Sequence, residues 1–562
     1  MMPSAIALAR TLASGIVPSS SKSGAVVAQV VNRSYSGAAC TALATIVLSL
    51  VVCPPTGALA QSTPAQKGAD KSMSVPKQTD TLVISQMPER KGAVHALLKK
   101  LFCKSSGVAA SGSKSEMWSV PPEQTSRVSK RLEALGMKVM KLASDWNQLL
   151  KPHEGPMTGA QQEMIDKMKG MPGAVGVHVV QTPEAALTAF LMTNEIKYRP
   201  TVPPELQTPS KTQVPSTIVL PIDATKSITL ERIRYSSDAR GCTWHGIVTE
   251  TGESALLMRW NDGHITGLVG YKGRIFTVAS LGEQLHAMVE MDPRKMPPDH
   301  APYRATADPR ADLRPDAPAK VAAPVSLPAV KPLAEVDRRA LETKKIVIDL
   351  MVLYTKKAAS RYVREPADLL AMAVEQANEA FRNSGLGNIS LRAVHIQAID
   401  YDESNGEHFD HLYRMVDGIG PFKDIRKLRD EKKADIVGLI VDDASGCGLS
   451  TRVAAGSEDA FFVVHHSCAT ITISIAHEIG HLLGARHDRA IDTNDMPFAY
   501  GHGHVNGKWR DIMSYQQSCD GCVRIPYWSS PRVLYKGEPT GTDAEDNARV
   551  ILEQADRVSK FR

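Results

Sequence analysis

The 562-residue sequence has little net charge, few cysteines and no obvious membrane span. Its 66 basic and 60 acidic residues leave a net charge of +6, too small and too mixed to mark nucleic acid or an anionic membrane as a partner. The apolar run Ala42–Val52 falls well short of the roughly 20 residues a spanning helix needs, so no stable membrane span is expected. The eight cysteines are unevenly placed: Cys40 and Cys53, then Cys103 and Cys242, then Cys447, Cys468, Cys519 and Cys522. What is present is ordinary globular material, 43% hydrophobic and 22% charged, with 35 prolines pointing to loops and linkers. The length exceeds one compact core.

Basic Arg10, Lys22 and Arg33 precede the apolar run, Pro54 and Pro55 break it, and Ala58-Leu59-Ala60 follows as an A-x-A pattern. That layout predicts a secretory signal over residues 1–60, cleaved after Ala60, and a secreted product, with the periplasm as the alternative destination. A retained anchor is the competing reading, and a lipid-modified Cys53 is a third, against which bulky Val52 speaks. Cleavage removes Cys40 and Cys53, and the four late cysteines then read as disulfides.

Residues 61–215 carry no assignable role, with short helical stretches expected at Val94–Phe102 and Val128–Leu150. From Thr217 to Asp292, period-two runs such as STIVLPI, HGIVTE and LHAMVEM alternate with Gly, Asp and Asn turns, the pattern of an antiparallel β unit. Pro293–Lys331 is rich in proline and alanine and reads as an exposed linker open to processing. Beyond it strands and helices alternate: strands at Ile346–Tyr354, Ile389–Ile399, Ala434–Val441 and Ala460–His465, helices at Pro366–Ser384, His408–Val416, Phe422–Lys432, from Ile471, and at Asp543–Val558. This order predicts an α/β domain with a mostly parallel sheet.

Residues 477–488 read HEIGHLLGARHD. His477 and His481 are four apart on a predicted helix, so their imidazoles share one face and can meet one ion. Gly484 can adopt a left-handed conformation that ends the helix and brings His487 back as a third ligand. Three neutral histidines and a water form the open site of a catalytic Zn2+, and Glu478 beside them can accept the proton of a water that the metal acidifies. Downstream, Asp511–Tyr515 reads DIMSY. Cys519 and Cys522 lack the second cysteine pair of a zinc site and the βα context of a thioredoxin site, so a small disulfide is expected, with Cys447–Cys468 as its companion. His465, His466, His502 and His504 read as packing or surface residues.

The extended HExxHxxGxxH motif with Met513 downstream resembles the metzincin zinc metallopeptidases, in which a methionine turn floors the three-histidine site. Asp488 resembles the reprolysin or adamalysin branch. Tyr515 is similar to the tyrosine of astacins and serralysins that approaches zinc or stabilises the oxyanion, with a packed tyrosine as the plainer reading. IDLMVLYT at Ile348, the IMSY turn and IPYWSSP from Ile525 resemble the bacterial peptidyl-Asp metalloendopeptidases.

This resemblance implies a metzincin-type catalytic domain over 344–562 whose mostly parallel sheet has an antiparallel edge strand. It implies protein or peptide substrates bound as an extended strand, with Ala460–Val464 matching the edge strand by position, and a preference for cutting beside acidic residues. The β unit, particularly CTWHGIVTE at Cys242, resembles metalloprotease propeptides, so the chain's own propeptide is the expected inhibitor. Cys242 is either a metal-blocking thiolate or the disulfide partner of Cys103. The expected organisation is signal peptide 1–60, N-terminal pro-region 61–215, β-rich propeptide domain 216–292, linker 293–343 and catalytic domain 344–562. The rivals are a catalytically idle, metal-stabilised binding or adhesion protein, and a hydrolase of non-protein amides.

Overall fold

The computed structural model describes residues 80–85, 115–120, 122–134, 138–142, 148–183, 217–300, 333–363, 366–404 and 406–562. The expected signal segment, Cys103 and the helix at Val94–Phe102 lie outside them. All described residues belong to one compact unit, and no helix among them is long and apolar enough to cross a membrane.

Alternating residues between Thr217 and Met291 build seven consecutive antiparallel strands, as their period-two pattern requires. The sheet has nine strands, because Lys151–Pro152 and Ala174–Gln181 extend it beyond Leu285–Met291. The β unit therefore reaches back before residue 216, an extension hidden by the long stretch between Gln181 and Thr217. A second difference concerns Val128–Leu150: the helix there is Pro122–Glu133, and Lys138–Leu142 is a strand paired with Asp80–Ser85.

The C-terminal part is a mixed α/β domain. Its five-stranded sheet has the order Ile389–Ile399, Ile346–Thr355, Ile436–Val441, Phe461–His465, Gly448–Ser450, with the first four parallel and the last antiparallel. Ile436–Val441 is buried at every position, as expected of a parallel strand covered on both faces. Helix Ala367–Asn383 lays Leu370, Val374, Ala377 and Phe381 into the core against helix Ser474–Leu483.

Ala460–Val464 does not form the edge expected of it. Phe461–His465 lies between two strands, and the edge is Gly448–Ser450, a three-residue strand too short to show any periodicity in sequence. Pro293–His300, the start of the expected exposed linker, is packed: Met296 lies against both neighbouring cores, Pro298 O accepts from Cys447 N at 2.7 Å, and His300 bridges to Gly448.

The β unit and the α/β domain share a mixed apolar core in which Leu256, Leu268 and Met291 meet Met372 and Ile471. Beside it, Arg234 reaches Glu375 at 3.1 Å and Glu379 at 2.7 Å, Arg382 reaches them at 2.7 and 2.8 Å, and His245 lies 3.0 Å from Glu375. Burial pushes both carboxyls up, but His245, Arg382 and Arg234 outweigh it and hold them well below the usual carboxylate range. A depressed folded-state pKa gives stability that is present above the ordinary value of 4.5 and lost as the pH falls through the folded value. Joint replacement by Glu375→Gln and Glu379→Gln should therefore cost about 1–3 kcal/mol at pH 7, between an exposed and a buried pair. Thermal unfolding would show it, and the difference from the parent should shrink towards pH 3.

Candidate active site

Helix Ser474–Leu483 is buried along its whole length and carries His477, Glu478 and His481 on the face turned to the edge strand. Gly484 ends it at φ +117°, a left-handed conformation that side chains rarely adopt. The chain turns there and returns His487 to the other two histidines. His481 Nε2 lies 2.8 Å from His487 Nε2. His477 Nδ1–H donates to Ile512 O at 2.8 Å and His481 Nδ1–H to Ala485 O at 2.9 Å, so each presents an unprotonated Nε2 to the common point. Burial keeps all three imidazoles neutral, with His481 pushed down to about 4, and the neutral ring is the ligating form.

Glu478 is fully buried, and among the described residues neither carboxylate oxygen makes a well-formed hydrogen bond. Burial raises its pKa well above the usual value, and Ser450 and Arg524 offset this only in part. A buried, unpaired carboxylate is costly unless a cation lies close. Three converging neutral nitrogens beside it supply a place for one, so the residues fit a divalent metal such as zinc. Glu478 sits against backbone, since a Cβ at Gly448 would overlap its Oε1.

Met513 lies beneath the helix, its Sδ 2.7 Å from where a Cβ on Gly480 would stand. Asp488 is buried and not part of the histidine cluster: it accepts from Tyr515 N at 3.0 Å and from Ser518 Oγ at 2.6 Å, tying the segment after His487 to the methionine turn. The Tyr515 ring centroid is 4.3 Å from that of His487. His502 holds the backbone of the third histidine, Nδ1–H to His487 O at 2.9 Å, and His465 and His466 are buried. Cys447–Cys468 and Cys519–Cys522 are disulfide-bonded.

A fourth imidazole, absent from the sequence reading, completes the cluster. His300 Nε2 is 3.2 Å from both His477 Nε2 and His487 Nε2, and 4.0 Å from Glu478 Oε1. Its only signal in the sequence is that it is the single histidine of the proline- and alanine-rich stretch. Cys242, weighed above as a metal-blocking thiolate or as the disulfide partner of Cys103, has a free thiol, packs with Tyr235 against the core of the β unit, and is not among the described residues that gather at the histidine cluster. Among the described residues two other groups have metal-like composition, Asp442 with His465 and His466, and His245 with Glu375 and Glu379. Each already holds an arginine, Arg361 in the first and Arg234 in the second, and that positive charge opposes a cation.

The Reprolysin_5 model, metallo-peptidase family M12, matches residues 344–529. A peptidyl-Asp metalloendopeptidase of Xanthomonas campestris pv. campestris is 32% identical over 312 residues, 55% of this chain and 70% of that protein. One from Stenotrophomonas maltophilia strain R551-3 is 31% identical over 346 residues, 60% and 77% of the two chains. Metalloproteinase-II from Bacteroides fragilis is 13% identical over 55% of this chain and 86% of its own, with a TM-score of 0.31, too distant a likeness to carry weight. Matches of this kind, on an α/β domain with convergent histidines, define a zinc metalloendopeptidase, a hydrolase of peptide bonds. The chain belongs to the peptidyl-Asp metalloendopeptidase family, within metallo-peptidase family M12.

Proposed function

We propose that the chain is the secreted zymogen of an endopeptidase with a metzincin-type catalytic domain, in which His477, His481 and His487 hold Zn2+ and Glu478 is the general base. The observation that carries this reading is the convergence of three neutral imidazole nitrogens beside an unpaired, buried carboxylate. When bound, zinc supplies the Lewis acidity that polarises a scissile carbonyl and acidifies a water. Glu478 takes the proton of the attacking water and returns it to the leaving amine. Its burial favours the protonated form and a nearby cation favours the carboxylate, which suits a group that must both accept and release a proton.

Tyr515, whose ring lies against His487, donates to the oxyanion that develops on the substrate. Burial raises its pKa far above neutrality, so the hydroxyl keeps its proton. The substrate lies as an added strand along Gly448–Ser450, where backbone pairing gives affinity and leaves selection to the side-chain pockets. The relatives' name carries aspartate, and we extend a preference for acidic side chains beside the scissile bond to this chain. The segments before residue 344 act as inhibitor until the proline-rich stretch is cut. The two disulfides suit an oxidising, extracellular destination.

The test is metal removal. Processed enzyme dialysed against a chelator should lose casein cleavage, and one equivalent of zinc should restore it. Undiminished cleavage by protein shown to be metal-free would sink the reading.

A further inference from the structure

Residues 297–300 lie along the same edge strand that the proposed function gives to the substrate. Pro298 O accepts from Cys447 N at 2.7 Å, and His300 pairs with Gly448 in a parallel bridge. From this position two neighbouring side chains enter the site. His300 sends Nε2 to within 3.2 Å of two of the three proposed ligand nitrogens, and its ring stacks on Tyr515 with centroids 5.6 Å apart. Asp299 turns to the adjoining wall, where it accepts from Arg524 Nη2 at 2.7 Å and from Gln516 N at 3.1 Å, with Arg510 Nη1 at 3.8 Å.

We infer that Asp299–His300 is a built-in plug. His300 fills the fourth position of the metal site, and Asp299 fills a carboxylate pocket, made by Arg524 with Arg510, that takes an acidic side chain of the substrate once the plug has left. This deepens the peptidase reading and rests on it.

The metal half follows from the donor set. Three protein ligands leave a position open for chemistry, whereas four close it and make an inert site. His300 offers the same nitrogen donor as the other three and lies where a water or a carbonyl would have to enter. The plug therefore explains latency without any cysteine.

The pocket half follows from charge. Arg524 and Arg510 side chains are 6% and 3% exposed, and among the described residues Asp299 is the only carboxylate in ion-pair range of either. Arg524 Nη1 and Nη2 are also fixed by Thr472 O at 2.6 Å and Ser514 O at 3.0 Å, so the fork is held in place whether or not the plug is present. When residue 299 departs, two buried cations lose their partner, and an aspartyl or glutamyl side chain is the group that restores it. Asp299 is next in the chain to the metal-seeking His300, which puts this pocket one residue from the reacting centre.

The full chain carrying Glu478→Gln, which cannot process itself, separates the two halves without using catalysis. Loaded with Co2+, it should show a visible spectrum that azide leaves unchanged, while added His300→Ala or His300→Gln should make the spectrum azide-sensitive. Two histidine variants guard against misfolding, checked by circular dichroism. Equal azide sensitivity in the parent would overturn the fourth-ligand assignment.

For the pocket, Asp299→Ala with His300→Ala in the same background should bind a fluorescent aspartyl peptide at least tenfold tighter than its asparaginyl twin. Adding Arg524→Lys, or Arg510→Lys as the milder change, should bring the two affinities to within about twofold. An unchanged ratio in both would overturn the pocket. If the spectra and affinities behave as stated but the processed enzyme cleaves no peptide, the plug stands and the peptidase reading falls.

Discussion

Glu478→Gln should lower kcat/KM of the processed enzyme by about 10²–10⁴-fold, the usual worth of a positioned general base, with one zinc per chain retained. The amide has the same shape, which matters because Glu478 is fully buried and lies against the bare backbone of Gly448. It can no longer take a proton. The three histidines do not depend on it, since their Nδ1–H groups are anchored to Ile512 O and Ala485 O or, for His487, its backbone is held by His502. Peptide hydrolysis and zinc content measured on the same sample decide the matter. Loss of zinc along with activity would show that Glu478 supports the metal and does not move the proton.

The largest stability effect is expected at Gly484. Gly484→Ala places a side chain at φ +117°, which costs about 1–3 kcal/mol in backbone strain, and its Cβ would stand 2.6 Å from Phe498 and 3.1 Å from Val550. Overpacking a filled core adds about 1–3 kcal/mol, so a total of about 2–6 kcal/mol is expected in urea unfolding. The damage should also reach the metal. Ala485 O, the next residue, orients His481, and His487 lies two residues further on. Zinc should dissociate faster from this variant. Gly387→Ala is the control, because nothing lies within 4 Å of its would-be Cβ, and it should be close to neutral.

These two residues were legible in the sequence because their roles are local. His477, Glu478, His481, Gly484 and His487 lie within one turn-and-a-half of helix and its C-terminal turn, so spacing alone brings them together. Ile346–Thr355 and Ile389–Ile399 were equally plain, as long apolar runs between turn residues. The misses are all non-local or short. Gly448–Ser450 is an edge strand only because Phe462–Val464 offers it a partner, and GLS by itself carries no period. Arg524 reads as an ordinary surface cation until Asp299, far away in sequence, is brought to it. His300 sits where proline and alanine composition promised solvent, but composition cannot report that Pro298 O accepts a hydrogen bond from Cys447 N. Tyr515 was named by resemblance, and its ring does lie against His487. Ala460–Val464 was placed at the edge by the same resemblance, and the sheet puts it one strand further in.

The close approach of Gly448 to Glu478 has an implication for anyone who would redesign this protease. The backbone that would receive the peptide and the carboxylate that would move the proton occupy touching volumes, with no side chain between them. Selectivity is usually altered by enlarging or polarising residues along the substrate's path. At this position any such change pushes the base, so breadth of substrate and rate of turnover are tied together there. Engineering of specificity belongs in the proposed pocket wall near Arg524, where a new side chain would meet the substrate away from the backbone that touches Glu478.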